Sequence, residues 1–196
     1  MFTLNEKKVL KFLMTSFSHH SINDIAKKCS LSPRGAHEIL KNLEVLNITY
    51  PQEIGKIKSY KINFNNPLTL SYLEVALVDE RINEGKIKVR INDFHEIKNI
   101  CKTAIIIGSY ITGKKNPDDI DIVFVFDKDK FKDFRKALDK AKEFIPYKVH
   151  DIIQTPEDIV NNLKEQDKII ITAIREGVIL WGYDFIVRSV KNAQTQ

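Results

Sequence analysis

Two aspartates, Asp119 and Asp121, stand at the entrance of an apolar run covering residues 120–126, with Ile120 between them. Successive side chains on a strand point to opposite faces, so the two carboxylates would share a face about 6.6 Å apart. Paired carboxylates at the mouth of a buried strand are hard oxygen ligands suited to a divalent cation. Just upstream, a second apolar run (residues 104–107) stops at Gly108-Ser109, whose backbone N–H groups and hydroxyl suit a phosphate. A cation beside a phosphate cradle is the chemistry of nucleotide transfer. A further acid, Asp151, lies in a third apolar stretch, residues 148–154. Burying it there is costly unless it is paired or metal-bound, and the alternative is a strand-edge carboxylate facing water.

Other spacings compete for attention and carry less. Asp127 and Asp129 repeat the Asp-x-Asp pattern, but they precede a lysine-rich segment and read as solvated turn chemistry. Gly108, Gly113 and Lys114 satisfy most of the P-loop pattern. Lys115, however, occupies the position of the hydroxyl that would ligate Mg²⁺, and Asn116-Pro117 falls where the P-loop helix should run. Too few residues lie between Gly113 and Ile120 for a parallel crossover, which excludes the P-loop.

The stretch from Ala104 to Phe126 resembles the motif of the DNA polymerase β-type nucleotidyltransferase superfamily, particularly its small "minimal nucleotidyltransferase" branch. Gly108, Ser109, Asp119, Ile120, Asp121 and Ile122 match the pattern, and Gly113 matches a frequent second glycine. Two positions depart from it: the gap before Asp119 is about one residue short, and Tyr110 stands where many members carry arginine. The resemblance implies that Asp119 and Asp121 hold two Mg²⁺ ions, and it places a third carboxylate on the strand after the intervening helix. Asp151 is the only acid between Glu143 and Glu157 and takes that part, as metal ligand and acceptor of the substrate hydroxyl's proton. Ser109 and the Gly108–Tyr110 backbone would hold the β and γ phosphates, with Lys114 and Lys115 neutralising charge. The enzyme reading depends on all three acids meeting at one lip of the sheet; an Asp151 on the far side would overturn it and make a DNA-binding regulator the better reading.

The elements that position these groups follow from periodicity. Residues 128–144 form an amphipathic helix with Phe131, Phe134, Leu138, Ala141 and Phe144 inward, ended by Pro146. Thr155-Pro156 caps another helix, residues 167–176 add one more, and residues 177–182 read as a last edge strand. The tail after Lys191 is polar and expected to fray. Residues 68–83 are helix-like, ended by Gly85, and form a connector and candidate homodimer contact. Residues 86–91 alternate as a strand does but also suit a linker, and residues 93–101 should form a short helix under the strand at Ala104.

The first 66 residues hold ten Lys/Arg against five Asp/Glu, whereas the remainder holds twenty-one of each. The whole excess of positive charge therefore belongs to the first third, as in a nucleic-acid-binding module attached to a neutral enzyme. A helical stripe over residues 4–17, a Ser21/Asp24 capping box, a Ser32-Pro33 helix start and a hairpin turn at residues 53–56 follow one another. This order resembles a winged helix-turn-helix. The resemblance puts Ser32, Arg34, His37 and Lys41 of the third helix against duplex DNA, with Lys56, Lys58 and Tyr60 on the wing. A protein-binding or dimerising module is the alternative. His19-His20 reads as a pair of solvated loop histidines.

The chain of 196 residues, 43% apolar and 29% charged, has the composition of a soluble globular protein. The longest apolar runs are far too short for a membrane span. Two distant cysteines, Cys29 and Cys101, and the absence of a signal-peptide pattern suggest a reducing, cytoplasmic setting. The expectation is an α+β protein in three parts: a winged helix-turn-helix (1–66), a helical connector (67–92) and a nucleotidyltransferase domain (93–196) with a small mixed sheet. Its function would be Mg²⁺-dependent transfer of a nucleoside monophosphate from an NTP, ATP first among them, to an acceptor hydroxyl. Two alternatives stay open: a winged-helix regulator that senses nucleotide without transfer, and an antitoxin-like enzyme that nucleotidylates a partner protein.

Overall fold

The structure, a computed structural model, describes residues 2–55, 57–112 and 117–195. The architecture is α+β: a helical N-terminal part with a two-stranded hairpin, then a four-stranded mixed sheet with helices on both faces. Helix α1 (Leu4–Met14) starts at a Thr3/Glu6 capping box, and α2 (Ile22–Cys29) at the Ser21/Asp24 box. Helix α3 (Pro33–Val45) is capped by the Ser32 hydroxyl, which accepts from the Gly35 amide. Strands β1 (Thr49–Ile54) and β2 (Ile57–Ile62) pair antiparallel around a two-residue turn, where Gly55 takes φ +60°. Three helices and a hairpin thus follow one another in the N-terminal part.

The next segment differs from the expectation. Helix α4 (Thr69–Leu77) is followed by a 3-10 turn, Glu80–Asn83, and Gly85 opens a helix rather than ending one. That helix, α5 (Gly85–Asp93), takes up the stretch that alternates like a strand. Ile87, Ile91 and Phe94 recur at helical spacing and pack in one cluster, so tertiary burial chose between two compatible periods. A short helix, α6 (His95–Lys98), leads into the sheet.

The sheet contains β3 (Thr103–Ile107), β4 (Asp119–Val125), β5 (Lys148–Gln154) and β6 (Val178–Trp181), in the order β5-β4-β3-β6. β3 pairs antiparallel with β4 and β6, whereas β4 and β5 run parallel, joined by α7 (Phe131–Lys142). The antiparallel β3–β4 connection agrees with the exclusion of a P-loop. Phe134, Leu138 and Ala141 are buried on α7, but Phe131 and Phe144 lie 47% and 71% exposed, because the helix ends before Phe144.

Helices α8 (Pro156–Lys164) and α9 (Lys168–Glu176) cover the other face together with α10 (Tyr183–Thr195). The last of these corrects the expected frayed tail. Tyr183, Ile186, Val187 and Val190 make an apolar stripe, and the Gln194 amide donates to the carbonyls of Leu13 and Met14 at 3.2 and 2.7 Å. One hydrophobic cluster runs from Val9, Ile25 and Leu40, through Ile105 and Val123 of the sheet, to Val187 of α10. The second cluster lies between the opposite face of the sheet and helices α5, α6 and α7.

Candidate metal and phosphate site

Alternation on β4 divides its side chains cleanly. Ile120, Ile122 and Phe124 enter the cluster under α7, while Val123 and Val125 enter the other one. Asp119 and Asp121 have the parity of Val123 and Val125 and stand where that apolar face runs out at the end of the sheet. On the parallel neighbour β5, Asp121 is registered with His150 and Ile122 with Asp151. Registered residues share a face, so His150 joins the two carboxylates and Asp151 points to the other side.

The distances agree. His150 Nδ1 lies 3.2 Å from Asp121 Oδ1 and 3.6 Å from Asp119 Oδ2. One ligand atom from each of these three residues lies within 4.8 Å of the others. Adjacent ligands of an octahedral cation at 2.1 Å stand about 3.0 Å apart and opposite ones about 4.2 Å, so this donor set fits a divalent ion after small adjustment. Two carboxylates with one imidazole suit Mn²⁺ and similar ions as well as Mg²⁺.

Asp151 is a correction. Its carboxylate accepts from Arg135 Nη1 at 2.7 Å and from Lys142 Nζ at 3.0 Å, both on α7. The cost of an acid in an apolar strand is offset here by ion pairs, one of the options left open in the sequence, and not by a metal. Burial pushes the carboxyl up, but the bonds and charges of Lys142 and Arg135 outweigh it and hold it below the usual carboxylate range. His150 is the residue that sequence reasoning missed. The signal existed in its position one residue before Asp151, but only the strand register turns that offset into a facing.

The end of β3 supplies the neighbouring turn. Gly108 has φ +75°, and a Cβ placed there would meet Asp121 Oδ2 at 2.6 Å. Glycine is therefore required twice, by the backbone conformation and by the approach of the carboxylate. Residues Gly108–Ile111 form a 3-10 turn directly after β3, with Ser109 as its second residue. Among the described residues the Ser109 hydroxyl makes no hydrogen bond, so it is available to a ligand. Tyr110 departs from a ligand role for its side chain. Its ring is buried against Tyr147, and its hydroxyl donates to the Lys86 carbonyl, so only its backbone can serve a nucleotide. Gly113, Lys114 and Lys115 lie outside the described residues.

On the N-terminal part, Arg34, His37 and Lys41 are exposed on α3, with Arg34 Nε bound to Glu38 at 3.0 Å. Ser32 is spent on the helix cap. Tyr60 is a correction: it is 5% exposed, and its hydroxyl donates to Glu44 of α3, so it braces the wing rather than presenting itself to DNA. Lys58 sits above the Tyr60 ring with its ammonium 3.7 Å from Glu44 Oε2. Lys56 lies outside the described residues. His20 is partly buried against Phe12, edge to face, with a ring nitrogen 2.6 Å from the Ser16 hydroxyl, while His19 stays exposed. Both cysteines are free and buried, and burial pushes Cys29 up to about 11 and Cys101 up to about 12.

Residues 85–171 are similar to a family of unknown function, DUF6932. The matched stretch contains Gly108, Ser109, Asp119, Asp121 and His150, and it leaves out α1, α2, α3 and the β1–β2 hairpin. No curated protein and no solved structure matches the chain. Among the described residues, no helix is long and apolar enough to cross a membrane.

Proposed function

We propose that the chain is a divalent-metal-dependent nucleotidyltransferase whose site rests on two carboxylates and a histidine. The observation that carries this reading is the convergence of Asp119, Asp121 and His150 beside the Gly108–Ser109 turn. Asp119, Asp121 and His150 would hold the cation, Mg²⁺ or Mn²⁺; a two-ion site is the fuller form of the same proposal. A bound cation neutralises phosphate charge and acidifies a hydroxyl. The Ser109 hydroxyl and the amides of the turn bind phosphate oxygens, and Gly108 lets that turn lie against Asp121. The acceptor oxygen bonds to the α-phosphorus of an NTP as the bond to the β-phosphate bridge breaks, and pyrophosphate leaves. With Asp151 committed to α7 and His150 among the ligands, the acceptor's proton leaves to solvent from a hydroxyl that the bound cation would acidify.

The test uses α-labelled ATP, CTP, GTP and UTP with Mg²⁺ or Mn²⁺, with and without cell lysate. Label transfer that Asp119→Asn lowers at least about a hundredfold is the expected result. The acceptor, whether a partner protein, an RNA end or a small molecule, is what carries the label.

A second reading has its own observation, the withdrawal of Asp151 into ion pairs on the far side of the sheet, which leaves two acids where the nucleotidyltransferase motif implies three and is the placement expected to favour a regulator. In that reading the sheet binds nucleotide without transfer, and the basic N-terminal part docks α3 on duplex DNA through Arg34, His37 and Lys41. Salt-sensitive duplex binding with no label transferred to anything would select it. Either reading is consistent with a cytoplasmic protein.

A further inference from the structure

A second cleft lies between the N-terminal helices and the sheet-bearing half, with a volume of about 610 Å³. That size is within the range of small-molecule sites. Six cations line it: Lys7, Lys8 and Lys11 of α1, Lys28 of α2, Arg81 of the 3-10 turn and Arg175 of α9. Three acids accompany them, and one, Asp79, is engaged by Arg81, whose Nε and Nη2 each donate to it at 2.8 Å. Lys7 donates to the Val78 carbonyl.

Lys11 and Arg175 have no such satisfaction. Lys11 is only 7% exposed, and its ammonium makes no hydrogen bond or ion pair among the described residues. The Arg175 guanidinium lies 4.8 Å from the centre of the Phe12 ring and donates from Nε to the Thr15 hydroxyl, yet pairs with no carboxylate among the described residues. Burial drives Lys11 below the usual lysine range; Asp79 opposes this, while Arg81 and Lys7 add to it. Two cations held in a desolvated wall with no carboxylate in direct contact among the described residues are costly unless an anion completes them.

We propose that this cleft binds a small molecule bearing two or more linked phosphates, gripped at once by the helix-turn-helix and by the sheet-bearing half. A chain suits it better than a single phosphate, because the cations come from four separate elements and exceed the acids by six to three. The cleft contains none of Asp119, Asp121 and His150. Arg81 fastens it to the same end of the sheet through the Ile111 and Glu176 carbonyls, next to the start of β6. β4, which carries Asp119 and Asp121, and β6, beside which Arg81 is fastened, lie on opposite sides of β3.

Calorimetric titration of the full chain with tripolyphosphate, in EDTA so that no cation contributes, tests the assignment. The unaltered chain should bind, and Lys11→Met and Arg175→Gln should each weaken binding at least tenfold. Lys28→Gln, at an exposed position, should weaken it about threefold and serves if Arg175→Gln fails to fold. Asp121→Asn should leave the affinity unchanged. Lys11→Met should melt no lower than the parent, since it removes a buried charge while keeping the stem's length. An ATP arm gives the source: tighter binding than tripolyphosphate adds a base pocket, and equal binding assigns the phosphate chain alone. No binding by the parent at millimolar tripolyphosphate and low salt, undiminished binding by Lys11→Met, or loss with Asp121→Asn would overturn it.

Discussion

At the residue scale, the change with the largest consequence is between two neighbours on one strand. His150 faces Asp119 and Asp121, and Asp151 faces α7. Replacing Asp151 by Asn should therefore leave metal binding intact and destabilise the fold by about 1–2 kcal/mol at neutral pH, since its partners are only partly buried. The carboxyl is held below its unfolded value, so its contribution is present above about pH 4 and fades as pH falls through the folded value. Urea titrations of the parent and Asp151→Asn should converge toward pH 2. A loss of metal binding in this variant, read by calorimetry with Mn²⁺, would return Asp151 to the site.

At the scale of elements, α10 has the most unexpected part. Its apolar stripe completes the cluster on the α8 and α9 side of the sheet, and its last turn reaches the end of α1 through Gln194. Ile186 is fully buried. Ile186→Ala should cost about 2–5 kcal/mol in urea unfolding, whereas an unpacked helix would show no change. Tyr183, Ile186, Val187 and Val190 make a helical stripe in the sequence, although the residues after Lys191 are polar. Residues 86–91 teach the converse. A short run can satisfy a period of two and a period of 3.6 together, and only its burial partners decide.

For the whole molecule, the continuous cluster from α1 to α10 bears on how the chain unfolds. Leu10, Leu40, Leu73, Val123 and Val187 belong to the same core. Two parts that share one core should melt together, so scanning calorimetry should show a single transition with matching calorimetric and van't Hoff enthalpies. Two resolved transitions would instead separate the winged helix from the sheet. The same joint holds the basic cleft, so tripolyphosphate should raise the melting temperature of that single transition.

Sequence alone determined the strands of the sheet, the caps at Thr155 and Ser21, and the neighbourhood of the Gly108–Ser109 turn and the paired acids. These are local properties: periodicity and capping act within a few residues, and a short connection forces β3 beside β4. Which acid faces the site, the entry of His150, the burial of Tyr60 and Tyr110, and the cationic cleft belong to the tertiary structure. The reason is that a strand's facing is set by its register with a partner more than twenty residues away, where a shift of one position exchanges the two faces.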